Sequence, residues 1–186
     1  MEIPKKFYFK IRPLILPINK ILNFIPKRSN ILDLGCGKGL LINHIKDFIH
    51  YTGVDLIADP DNSNGNIKFF KDNCLSYIKN DLSEHNTFLI IDLIHHIPVE
   101  SQSNFLNLLI SSLKSGDILI IKDINPRNFI YKFWNSFHDF IISKQIINYL
   151  DFEKLKENLP GDIQILANFH SRIFLYDHYF LVLKKC

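Results

Sequence analysis

The chain has little of what builds a covalent or metal-held framework. Its three cysteines, Cys36, Cys74 and Cys186, are an odd number at scattered spacings, with no C-x-x-C pair among 186 residues. That argues against a disulfide scaffold and a structural zinc site, and it suits a reducing compartment. Long hydrophobic runs are missing too. No stretch reaches the ~18 uncharged apolar residues of a membrane span. Pro4, Arg12, Pro13 and Pro17 break up the N-terminal apolar residues, and the small-residue cleavage site of a signal peptide is absent. A cytoplasmic protein is expected. Internal repeats and a second domain are also absent, so 1–186 reads as a single domain. Its 47% apolar and 22% charged residues are enough for one globular core.

Glycine is scarce, at seven residues, yet three fall together in Ile31-Leu32-Asp33-Leu34-Gly35-Cys36-Gly37-Lys38-Gly39. An apolar run ends in a turn whose glycines let backbone amides approach a ligand. Sixteen residues after Gly39 comes Asp55, closing a second strand-like run, Tyr51-Thr52-Gly53-Val54. A glycine turn followed by an acid at the next strand end is how a doubly wound fold holds an adenosine. The dinucleotide spacing G-x-G-x-x-G is not met, because Leu40 stands where its third glycine would fall. Asp33, two residues before the first glycine, is a poor neighbour for pyrophosphate but suits a cofactor bearing an ammonium and a sulfonium.

The remaining pattern alternates strands and helices, which implies a mainly parallel sheet covered on both faces. A helix is expected at 17–25, a first strand at 30–34 with its helix at 39–49, and a second strand at 50–55. The polar stretch 59–66 reads as a mobile loop. A strand at 67–70, a helix at 74–80, a continuously apolar strand at 88–92, a helix at 100–113 and a strand at 117–122 follow. A helix at 151–158 and strands at 162–168 and 177–184 end the chain. With no helix between them, those last two strands should pair antiparallel.

Charge is unevenly placed. Residues 1–30 carry seven basic side chains against Glu2 alone, a net of +6, so the remaining 156 residues sum to −3. This basic, apolar arm (1–29) fits an acidic carrier protein or an anionic membrane surface, or else an amphipathic helix on the sheet with its lysines solvated. A second addition is 125–150, where Phe129, Phe133, Trp134, Phe137 and Phe140 recur near helical spacing. It either covers a substrate or packs as core. Arg127, Tyr131, His138 and Asp139 are its polar residues.

The segment 31–39 closely resembles the signature of class I S-adenosylmethionine-dependent methyltransferases. That resemblance implies an α/β, Rossmann-like, doubly wound, seven-stranded and mostly parallel sheet with an antiparallel C-terminal strand, and S-adenosyl-L-methionine as cofactor. It implies that Gly35, Cys36, Gly37 and Gly39 meet the methionyl part, with Asp33 and Asp92 near its polar end. Asp55 takes the ribose hydroxyls. Asp72, in Lys71-Asp72-Asn73, takes the adenine amino group, with Asn73 beside it and Leu56 and Cys74 flanking the ring; for Asp72 a helix cap is the other reading.

After the fourth strand, Asp92-Leu93-Ile94-His95-His96-Ile97-Pro98 lacks the Asn/Asp-Pro-Pro-aromatic turn of enzymes that methylate base amines. It resembles instead the Asp-x-x-x-His-His pattern of small-molecule and lipid methyltransferases, with two residues rather than three between Asp92 and His95. His95 and His96 are candidate bases, since imidazole titrates near neutral pH. Asp123, after the fifth strand, and His138 complete the candidate acid–base set, although each also has an ordinary structural reading. Acids and histidines on different loops give no metal-ligand spacing, and no metal is expected. The function expected is methyl transfer to a small-molecule, lipid-like or acyl acceptor. RNA methylation, or a non-catalytic subunit that binds the cofactor, are the alternatives.

Overall fold

The computed structural model describes residues 16–124, 148–173 and 176–186. The N-terminal half of the basic arm and most of the aromatic segment, including Arg127, Tyr131, His138 and Asp139, lie outside the described residues. In chain order the elements are α1 (Ile18–Leu22), β1 (Ser29–Leu34), β2 (Phe48–Asp55), β3 (Ile67–Lys71), α2 (Cys74–Tyr77), β4 (Thr87–Ile91), α3 (Val99–Ser112), β5 (Ile118–Ile124), α4 (Phe152–Glu157), β6 (Ile163–Ile173) and β7 (Tyr176–Lys185). Single 3-10 turns occupy Leu41–His44, Pro60–Asn62 and Ile94–His96.

The described strands form one seven-stranded sheet in the order β3-β2-β1-β4-β5-β7-β6. The five strands from β3 to β5 are parallel, and β7 runs antiparallel to both β5 and β6. Fold class and the final antiparallel pair are therefore as expected. Side chains alternate across the strands, so each apolar strand supplies two cores. Leu32, Leu34, Phe88, Ile90, Leu119 and Leu181 face α2, α3 and α4. Ile31, Leu89, Ile91, Ile120, Phe180 and Val182 face α1 and the Leu41–His44 turn.

Helix α3 forms because Phe105, Leu106, Leu109 and Ile110 share one buried face, and Glu100 sits favourably in its first turn. It stops where Leu113 turns extended, just before Gly116 at φ 93°. The helix expected at 39–49 does not form. Leu41, Ile42 and Ile45 have helical spacing and are buried, but Ile45 is already extended and β2 begins at Phe48. With room for one turn before strand pairing, the cost of nucleating a helix is not recovered. The polar loop is also more structured than its composition suggests. Asp59 accepts from Asp61 N at 3.1 Å, and Ser63 Oγ accepts from Phe69 N at 2.9 Å.

Within the described part of the arm, Lys20 is not simply solvated. Its ammonium donates to Ser171 Oγ at 2.8 Å and lies 5.7 Å from the Phe169 ring centroid. No described helix is long and apolar enough to cross a membrane.

Phe105 is fully buried between α3 and the sheet. Phe105→Ala should destabilise the protein by about 3–5 kcal/mol through lost burial and an unfilled cavity. Urea denaturation should show a lower midpoint with an unchanged slope.

Candidate active site at the carboxyl edge of the sheet

Strand order reverses between β1 and β4, and in open α/β sheets the crevice at such a reversal, beyond the carboxyl strand ends, is where ligands bind. The glycine turn lies on one side of it. Gly35, Gly37 and Gly39 have φ of 81°, 59° and 75°. Gly35 N donates to Val54 O at 2.8 Å, which ties the turn to β2. Two of these glycines make room for the protein itself. A Cβ on Gly35 would lie 2.9 Å from Leu93 Cβ, and one on Gly39 would lie 2.6 Å from Phe69 Cζ.

Asp55 is the turn's second anchor. Its Oδ2 accepts from Gly37 N at 2.9 Å and its Oδ1 from Ile57 N at 3.0 Å. Each oxygen retains a further lone pair, so ribose hydroxyls are not excluded. Leu56 and Ile57, 64% and 54% exposed, hold apolar side chains at the lip beside it. Asp72 is exposed next to Asp55, with its own N–H on Asp55 O at 3.2 Å. The helix cap falls to its neighbour: Asn73 Oδ1 accepts from Leu75 N at 2.8 Å at the start of α2. The cap reading of Asp72 is thus set aside, and the Asn73 oxygen is committed to α2. A cavity of about 420 Å³ opens between Lys38, Lys71 and the Ile57–Asn62 turn.

Asp33 is buried, and its Oδ2 accepts from the Tyr51 hydroxyl at 2.6 Å. Burial, reinforced by the Asp33 charge, holds the Tyr51 phenol well above its usual range. Tyr51 was not foreseen as a partner of Asp33, although strand pairing places it opposite Ile31, two residues away. The Cys36 thiol is likewise pushed up by burial and then by Asp33 and Asp55. Burial pushes the Cys74 thiol up to about 12, and its Sγ donates to Val54 O at 3.5 Å.

Across the crevice, residues 92–98 form a tight turn. Ile94–His96 is a 3-10 turn that sends the two histidines to different environments. His95 is buried with Nδ1 on Asp123 Oδ1. Asp123 also accepts from His95 N at 3.2 Å and Ile124 N at 2.7 Å. His96 is exposed, its ring centroid 4.0 Å from that of His95.

Two residues of this region were missed. Lys122, 1% exposed on β5, directs its ammonium to Asp92 Oδ1. Gln102, 3% exposed on α3, donates to Ile94 O and Ile97 O at 3.1 Å and to Asn148 O at 2.9 Å, which fastens the turn. A lysine in the apolar run Ile118-Leu119-Ile120-Ile121 was a signal that could have been read; Gln102 had none.

The fold also gathers Asp92, His95 and Asp123, with one donor atom from each within 4.8 Å of the others. Distant sequence positions had hidden that grouping. The donors already have partners, since the Lys122 ammonium sits on Asp92 and the imidazole on Asp123.

A family model described as a methyltransferase domain matches residues 7–159. The chain belongs to this methyltransferase family. No curated protein matches it in sequence. Solved structures share its fold. A SAM-dependent methyltransferase from Archaeoglobus fulgidus superposes with a TM-score of 0.69 at 19% identity, covering 96% of this chain and 98% of the other. The 1,6-didemethyltoxoflavin-N1-methyltransferase of Burkholderia thailandensis, holding 1,6-didemethyltoxoflavin and S-adenosylhomocysteine, gives 0.67 at 13% identity over 91% and 76%. Magnesium protoporphyrin IX methyltransferase from Synechocystis, with S-adenosylhomocysteine, gives 0.62 at 14% over 91% and 82%.

The methyltransferase family uses S-adenosyl-L-methionine as methyl donor, and the groups around this crevice fit that molecule. Left-handed glycines carry the turn, carboxylates stand at both neighbouring strand ends, and apolar side chains line the lip beside Asp55. Asp55→Ala should weaken S-adenosyl-L-methionine binding by about 1.5–3 kcal/mol, the scale of hydrogen bonds to a charged group. Titration calorimetry measures this directly. Because Cys36 and Cys74 stay protonated and at least partly buried, iodoacetamide at pH 8 should modify only the exposed Cys186 in the native methyltransferase. Peptide mapping would read the sites.

Proposed function

We propose that this methyltransferase moves a methyl group from S-adenosyl-L-methionine to a small-molecule or lipid-like acceptor whose nucleophilic atom carries a proton. The observation that carries this reading is the buried His95–Asp123 pair, which sits on the turn bordering the donor crevice. S-adenosyl-L-methionine, when bound, supplies an electrophilic methyl on a sulfonium. The protein's tasks are then alignment, exclusion of water and proton removal.

Asp123 holds the imidazole by Nδ1, and Nε2, on the far side of the ring, is the nitrogen proposed to take the proton. The three glycines, Cys36, Asp33 and Asp92 surround the methionyl end; Asp55 takes the ribose, and Asp72 takes the adenine amine between Leu56 and Cys74. Same-fold enzymes described as acting on a porphyrin and on a toxoflavin precursor support a small acceptor. The 92–98 turn also lacks the proline pair that grips a nucleobase amine. The basic arm fits an anionic carrier or membrane surface that delivers such an acceptor.

Radiolabelled S-adenosyl-L-methionine offered with a low-mass extract, a lipid extract and total RNA separates the alternatives. Label in either of the first two supports the proposal, whereas label in RNA overturns it. With the acceptor found, His95→Gln should lower turnover by ~10²–10⁴ while leaving donor affinity nearly unchanged. His96→Gln should stay near wild type, because its ring is exposed whereas that of His95 is buried on Asp123. Equal loss in both variants would move the base away from His95.

A further inference from the structure

The end of β5 places two consecutive ionisable residues on opposite faces of the sheet, and both reach the same turn. Lys122 takes Asp92, and Asp123 takes His95. Between those two anchors stands Leu93, whose side chain fills the space left by the missing Cβ of Gly35. The turn that follows β4 is therefore fixed by β5 and seated on the glycine turn that follows β1.

Asp92 needs such fixing. It is one of two described non-glycine residues with positive φ, at 55°, a conformation that surrounding contacts must hold. Lys122 supplies two of them: its carbonyl accepts from Asp92 N at 2.8 Å, and its ammonium binds the carboxylate. An ammonium this deeply buried is costly unless paired, so Lys122 and Asp92 depend on each other. Nothing in the proton-transfer reading above uses Lys122.

We infer that Lys122 is a positioning residue for the donor: acting through Asp92 and Leu93, it sets the turn against Gly35 and so shapes the part of the crevice that receives the amino-acid end of the cofactor. This rests on the donor-site reading given above, and the experiment is chosen to tell the two apart. S-adenosylhomocysteine carries the amino-acid end, and 5′-methylthioadenosine lacks it, while both keep the adenosine.

Affinities of both nucleosides are measured by calorimetry for the wild type, Lys122→Met, Asp92→Asn and the double variant, with folding followed by circular dichroism. Each single variant should bind S-adenosylhomocysteine about tenfold more weakly, in line with loss of one charge-assisted contact. Affinity for 5′-methylthioadenosine should be unchanged. The double variant should lose no more than either single one, since both remove the same interaction. The double variant removes both charges and strands neither, so it keeps the test alive if a single variant does not fold. Equal weakening of both nucleosides, or no change in either, would overturn the inference. Failure of the wild type to bind either nucleoside removes the donor reading itself, and the inference with it.

Discussion

Strand β1 takes parallel partners on both edges, β2 on one and β4 on the other, and the arrangement of the functional edge follows from that pairing. Both faces of β1 are packed, so a ligand has no access to the sheet except at the strand ends. The loops leaving β1 and β4 must depart in opposite directions along the sheet, which opens the crevice between them. Gly35, the first residue after β1, and Leu93, the second after β4, face each other across its base, with no room for a Cβ on the glycine.

Around this crevice polar groups are held in buried pairs. Asp33 with Tyr51, Asp92 with Lys122 and Asp123 with His95 each set a carboxylate against a polar side chain near a strand end. Charges taken out of water are tolerated only with such partners, so the pairs fix side-chain geometry at the same time as they satisfy it. Asp55 differs in that both of its bonds go to backbone amides and neither to a side chain, so it is the loop that gains order. The site is thus built on strands, with the loops fastened to them.

The glycines have a double task. Spacing in the sequence suggested space for a ligand, and the structure gives all three a left-handed φ that the turn itself requires. Packing adds that two of them are required by Leu93 and Phe69 before any ligand arrives. Substitutions at Gly35 and Gly39 therefore disturb packing whatever else the turn does.

Much was determined by sequence alone. Apolar runs bounded by turn residues located every described strand to within a few residues, except that β6 runs on to Ile173. The glycine turn with Asp55 was enough to point to the methyltransferase family and its cofactor, because such local patterns need only neighbouring residues to have physical meaning. The tertiary structure alone decided the rest. The 39–49 pattern became a single 3-10 turn because pairing of β2 began at Phe48, a long-range contact that no local window contains. Asp123 and His95 are 28 residues apart, and Lys122 and Asp92 are 30 apart. Only the parallel register of β4 beside β5 makes them neighbours, so which histidine is buried, and which lysine stands at the site, was settled by packing.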